Sequence, residues 1–525
     1  MARTRRYTAS RRARGARAAI GLLVSGALVL TACGGGSGDD GGSGSGSGDT
    51  GDGVLTLALE NTLPGWDWRK QISSGPSSLE WRPVYDTLLR TQVDGVVVPN
   101  AAEEFSYNED KTVLTLTLHE GMTFTDGAPV DAEAVKFSLE GMRDGGGPDS
   151  SRLKGVTVDV VDDLTVTLTL PAPDPGLTTN LGGSSGLLVS PATLDDPATL
   201  DTQPIGSGPY TLNTAETVVG SKFVYDRNPD YWNPDDYAYD KIEFLVMPEE
   251  TAQLNALASG QIDGAEISLA SIEQAEASGS HVERFPNIWS GLMFLDRDGE
   301  KVPALGDVRV RQAINMVFDR EAIVKAIWNG YGTANPQISS ATTAGYQDDL
   351  LDHYDYDVEA AKELMADAGY ADGFDIVLPE VVGFNDEYTA IVVQQLGLLN
   401  IRAEMTPVTR QETVSRLLGG EFPMFVYQMP VNPVVAQVAN YVRPGAAFNP
   451  LRNEDPELNE LLAEWTVADQ DEADEIYQQL NEFLVENAWF AVFGNPDVPW
   501  AFNDTVTISG TLYNTPPLYA LQPVE

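Results

Sequence analysis

"VPNAAEEFSYNEDKTVLTLTLHEGMTFTDGAPVDAEAVKFSLEGM", residues 98–142, carries two different hydrophobic periods. Leu114, Leu116 and Leu118 alternate with Thr115 and Thr117, which predicts a strand with one apolar and one polar face. After Asp131, whose carboxylate suits a helix N-cap, Val135, Leu139 and Met142 recur at helical spacing and predict a helix. A strand followed closely by an amphipathic helix points to mixed α and β construction.

The same signals continue outward. Val166, Leu168 and Leu170 alternate around Thr167 and Thr169, and Leu55, Leu57 and Leu59 predict a half-buried strand at residues 54–60. Asp307, Asp319 and Asp357 each stand before a helical pattern, and Gly369 suits the left-handed position that ends the third. Strands and helices interleave over about 470 residues with no 20–50-residue repeat, so an α/β chain of two or three lobes is expected.

Residues 1–32 hold seven arginines, no acids and an apolar run from Ala18 to Leu30, the layout of a secretory signal. As a helix the run would reach about 20 Å against roughly 30 Å of hydrocarbon, too short for a permanent span. Leu30-Thr31-Ala32-Cys33 resembles a bacterial lipoprotein signal, which implies cleavage before Cys33 and lipid on that residue. Cys33 is the only cysteine and has no disulfide partner. Arg11-Arg12 lacks the rest of a twin-arginine motif, so ordinary secretion is expected. Residues 34–53, "GGGSGDDGGSGSGSGDTGDG", have no apolar side chain and read as a flexible tether spanning roughly 25 Å.

The formal charge is −46, and loss of the seven arginines takes it to −53. Nucleic acid is not an expected partner for such a chain. His119, His281 and His353 share no ligand or catalytic spacing, so no metal, cofactor or catalytic residue is expected. Gly182–Gly186 matches the nucleophile pattern G-x-S-x-G around Ser184. The stretch before it is a poor strand, and Gly186 and Pro191 oppose the helix that should follow, leaving a secreted hydrolase only as a remote alternative. Paired carboxylates carry no signal among 78 acids.

The 98–142 stretch, with its acid-rich turn, Thr/Leu strand, "HEGMTFTDG" and the helix after "PVDAE", resembles the signature segment of the bacterial extracellular solute-binding proteins of the peptide/nickel class, family 5. "PIGSGPYTL" (204–212), "DRNPDYW" (226–232), "ALASGQIDGAEI" (256–267), "LGDVRVRQAINMVFDREAIV" (305–324), "DYDVEAAKELMADAGYADGF" (355–374) and "VVQQLGLLNIRAEM" (392–405) follow in that family's order. Locally, Pro204, Gly206, Gly208 and Pro209 predict a rigid reversal between lobes, and Tyr231 and Trp232 read as packing anchors. Arg309 and Arg311 read as partners of helix termini and acids.

The resemblance implies a periplasmic-binding-protein-like (class II) two-lobed α/β clamp with an additional lobe, closing on a cleft ligand without bond chemistry. It implies a small solute or peptide ligand, ABC transporter permease subunits as partners, and a monomer on the extracytoplasmic face, held to the membrane through Cys33. The expected organisation is signal 1–32, tether 33–53, lobe I from 54–80, 200–262 and 490–525, extra lobe II at 81–199, and lobe III at 263–489.

Peptide-binding members of this family hold the ligand's amino end with an Asp near a late Asp-Pro turn, and its carboxylate with an Arg after the strand that follows the Ala-Gly-Tyr block. Here residues 422–453 contain no acid, with Asn432-Pro433 in the Asp-Pro place, and residues 374–401 contain no Arg or Lys around "VVGFNDEY". Burying an unpaired ionised end costs on the order of several kcal/mol. A blocked or longer peptide, or a neutral or cationic solute, is therefore expected. The alternatives are a same-fold receptor for a sugar, metal chelate or cationic metabolite, or a sensory protein. Candidate contacts are Trp66, Trp68, Ser74, Gly75 and Ser77 on one side and Trp289, Phe384, Tyr427, Gln428 and Asn432 on the other, an aromatic and largely neutral cleft.

Overall fold

The computed structural model describes residues 53–62, 65–73, 78–92, 96–381, 386–431, 434–468, 470–509 and 515–524. The signal segment, Cys33 and the tether up to residue 52 lie outside them.

The Thr/Leu strand is Val113–Leu118, with Leu114, Leu116 and Leu118 buried. It pairs antiparallel with Ala102–Tyr107 and Thr165–Thr169, and Thr157–Val160 completes a four-stranded sheet. The register sets Leu116 opposite Val166 and Thr115 opposite Thr167, so apolar and hydroxyl-bearing pairs alternate between the faces. Helix Ala132–Asp144 starts at the expected cap, the Asp131 carboxylate accepting the Ala134 N–H at 2.9 Å. Its Val135, Leu139 and Met142 enter the same core.

A seven-stranded sheet runs His281–Phe285, Val498–Phe502, Gly264–Glu266, Val54–Leu59, Lys241–Val246, Lys222–Arg227, Tyr210–Leu212. Val54–Leu59 is parallel to both neighbours and buried on both faces: Leu55 and Leu57 join one core, Ala58 another beside Leu254 and Leu257 of helix Glu250–Ala258. The half-buried strand expected there is thus a central strand covered on both sides.

A third sheet, Gly332–Ala334, Phe490–Pro496, Ile288–Phe294, Met424–Pro430, is antiparallel and sandwiched between two further cores. Trp289 and Met293 point into one, Leu292 and Phe294 into the other, as a two-residue period requires. The chain crosses between the first and third sheets at Pro286-Asn287 and returns at Asp497. Gly264–Glu266 and His281–Phe285 lie in the first sheet and Phe490–Pro496 in the third, because long-range pairing decides where a strand belongs.

One apolar core joins the first two sheets, whereas the third has its own. Two bodies result, linked by the two crossings. Within the second body, helices Val308–Met316, Arg320–Ile327 and Val358–Asp367 begin at Asp307, Asp319 and Asp357 as expected. Arg309 pairs with Asp307 at 2.6 Å. Arg311 departs from the expected ion-pair role: it is buried and donates to the carbonyls of Leu305, Asn487 and Ala488.

Candidate functional site

A cavity of about 230 Å³ lies where the two bodies face each other. Its wall on the first body is built from the segment after the short helix Ser78–Trp81, which carries Arg82, Asp86 and Arg90 at four-residue intervals. Gly206 and Gly208 of "PIGSGPYTL" hold that segment. The Gly208 and Tyr210 N–H groups donate to the Val84 and Pro83 carbonyls at 3.1 and 2.8 Å. A Cβ at Gly206 would lie 1.9 Å from the Val84 carbonyl oxygen. These glycines therefore permit close backbone approach within the first body, where a reversal between lobes was expected.

Asp86 is buried and accepts the Tyr231 hydroxyl at 2.9 Å and the Trp232 indole N–H at 3.1 Å. Burial pushes its carboxyl up to about 7, against the pull of those donors and of Arg90. The "DRNPDYW" aromatics thus secure a buried carboxylate as well as packing. Arg90 pairs with Asp236 at 2.8 Å and lies 4.9 Å from the Tyr519 ring centre. Arg152 donates to Asp149 at 2.9 Å and Asn180 at 2.8 Å. The second body contributes Asn287 from the first crossing, Pro430 at a strand end, and Asn440 on the π-helical turn Val438–Val442.

Ser184 is 0 % exposed, and its hydroxyl donates to Asp149 at 2.5 Å and meets Ser73 at 2.9 Å. His119 stacks on Trp232, His281 on Phe502, and His353 meets Tyr354 edge-on. No imidazole stands beside Ser184 to serve as its base, and the hydroxyl is a structural partner of a carboxylate. Among the described residues no group of three or more His, Cys, Asp or Glu is placed to hold a metal, and no helix is long and apolar enough to cross a membrane.

Several expected contacts are core residues instead. Trp66 (2 % exposed) packs edge-on against Phe223, and Trp68 (1 %) donates to the Ser138 carbonyl beside Gly141. Trp289 (0 %) sits between Phe490 and Tyr441. These three rings are enclosed in the cores and do not line the cavity. Tyr427 joins Phe425 and Phe448, and Gln428 donates to the Tyr388 hydroxyl; neither lines the cavity. Ser74, Gly75, Ser77, Phe384 and Asn432 lie outside the described residues, although Ser73 and Ser78 line the cavity. The cavity lining is mostly neutral and includes Trp81, Tyr85, Tyr237 and Tyr519, with Arg82, Arg90, Arg152 and Asp86 as its charged members. The signal was present in "WRPVYDTLLR", where two arginines and an acid interrupt an apolar stretch.

The family model described as bacterial extracellular solute-binding proteins, family 5 Middle, matches residues 96–445. Heme-binding protein A of Haemophilus influenzae is 27% identical over 305 residues, covering 53% of this chain and 55% of that protein. The dipeptide-binding protein of Escherichia coli is 27% identical over 327 residues, covering 56% and 59%. The chain thus spans little more than half the length of these curated relatives. The solved structure of HbpA2 from Haemophilus parasuis aligns with a TM-score of 0.77 at 21% identity, covering 90% of this chain and 100% of that one.

Proposed function

Because the chain belongs to the bacterial extracellular solute-binding proteins, family 5, we propose that it captures a peptide or peptide-like solute between its two bodies and delivers it to an ABC importer. The observation that carries this reading is the cavity itself, walled by Arg82, Arg90 and Arg152 from one body and by Asn287, Pro430 and Asn440 from the other. A ligand touching both walls favours the closed arrangement over the open one, and only two short crossings need to bend. Ser184 is buried and hydrogen-bonded to Asp149, and the solute-binding proteins of this family are transport receptors, not enzymes.

A peptide is the first choice because a dipeptide-binding protein, 27% identical over 327 residues, is among the chain's relatives. A non-peptide solute is the second reading, favoured by the heme-binding relative and by the absence of the peptide-terminus Asp and Arg. Acylated Cys33 anchors the receptor on the outer face of the membrane, and the glycine-rich tether gives it reach.

Native mass spectrometry of the protein as isolated, followed by melting curves with short peptides, tests the capture. A co-purified solute, or a melting temperature that rises with peptide concentration, is expected. No bound mass and no shift with any peptide would remove the peptide reading. Cys33→Ala is expected to release the protein into the medium, and its retention on membranes would remove the anchor.

A further inference from the structure

Building on the solute-receptor reading, we infer that Arg82, Arg90 and Arg152 form a carboxylate-binding end of the cavity, so that the captured solute carries a carboxylate held by the first body. Each guanidinium has five N–H donors and no acceptor. Asp236 takes one bond from Arg90, while Asp149 and Asn180 take one each from Arg152. Among the described residues this leaves donors on both, in a cavity that they line.

The neighbouring carboxylates are already engaged within the protein. Asp86 accepts from Tyr231 and Trp232, Asp149 from Ser184, Ser73 and Arg152, and Asp236 from Arg90 and Asn233. What remains for a solute is a donor-rich wall. Arg82 and Arg90 both act on Tyr519: burial raises its hydroxyl, and the two charges pull it back. Thr515, 3 % exposed, adds to the same lining a hydroxyl without a hydrogen-bond partner among the described residues.

The sign of this wall is opposite to that of the chain, whose formal charge is −46. Holding guanidiniums in a partly closed cavity costs desolvation, which an anion of matching planar geometry offsets through paired N–H···O bonds. The carboxylate partner missing from residues 374–401 is thus supplied by the opposite body, and the solute is one that carries a carboxylate.

Matched acid and amide ligands test this with the full mature chain. Calorimetric titration compares trialanine with trialaninamide, and succinate with succinamide. At least one acid is expected to bind ten-fold or more tightly than its amide, and Arg82→Gln to reduce that preference to three-fold or less. The wild-type comparison stands even if the variant fails to fold. Equal binding within both pairs, or binding of an amide alone, overturns the carboxylate end while leaving solute capture intact. No binding by any of the four overturns the carboxylate end, and if no solute co-purifies either, the receptor reading falls with it.

Discussion

Tyr231 donates its hydroxyl to Asp86 at 2.9 Å, joining positions 145 residues apart at the back of the cavity wall. The contact ties a "YW" pair far along the chain to the strip that carries Arg82 and Arg90. Tyr231→Phe removes one donor from a buried carboxylate, a loss of about 1.5–3 kcal/mol. Denaturant unfolding at pH 8 checks it.

Asp86 also imposes a pH dependence. Its folded value of about 7 lies above the ordinary carboxylate range, because burial outweighs Tyr231, Trp232, Ser207 and Arg90, with Tyr237 also facing it. The native state therefore binds this proton more tightly than the unfolded chain does, and stability falls as pH rises from about 4 to about 7. Asp86→Asn should be less destabilising, relative to wild type, at pH 8 than at pH 5. Denaturation midpoints at the two pH values measure this, and an identical difference at both would contradict it.

Gly206→Ala places a Cβ 1.9 Å from the Val84 carbonyl oxygen, and Gly208→Ala places one 2.6 Å from its carbon. Backbone must move in either case, at a cost of about 1–3 kcal/mol. Because that backbone carries Arg82 and Asp86, ligand affinity should fall along with the melting temperature. Gly397→Ala, with open space at the Cβ position, should leave both unchanged.

Lys111, in the turn before strand Val113–Leu118, donates to the Ala468 carbonyl at the end of helix Pro456–Val467. This contact runs between the two bodies and places a cation at a helix C-terminus, worth about 0.3–1 kcal/mol. Lys111→Met should weaken ligand affinity about two- to five-fold by that energy, with the unfolding midpoint of the ligand-free protein nearly unchanged. Small-angle scattering should show a more open ligand-free ensemble.

Arg311→Lys is not a conservative change. Burial lowers this guanidinium to about 10, so it stays charged at neutral pH while donating to three carbonyls at 2.7–3.1 Å. An ammonium cannot span them, and each carbonyl left without a partner costs about 1–3 kcal/mol. Urea unfolding should register the loss, and a full-length protein of wild-type stability would contradict this account.

Local features were legible because their causes are local. The alternation of Leu114, Leu116 and Leu118, the caps at Asp131, Asp307, Asp319 and Asp357, and the left-handed Gly369 each depend on residues within a few positions. The order of the sequence blocks was likewise enough to indicate the family. The cavity wall was not legible in the same way. Trp66, Trp68 and Trp289 have the amphipathic chemistry of ligand contacts, and nothing nearby in sequence says that Phe223, Gly141 and Phe490 will enclose them.

By itself, then, the sequence determined the α/β elements, the clamp family and the absence of the usual peptide-terminus charges from residues 374–401 and 422–453. Only the tertiary structure decided which strands share a sheet, which aromatics became core, and that arginines from residues 82, 90 and 152 meet in one cavity. The physical reason is range. Hydrophobic period and capping act within a few residues, whereas the sign of a cavity wall depends on partners such as Tyr231 for Asp86, brought together only when the chain packs.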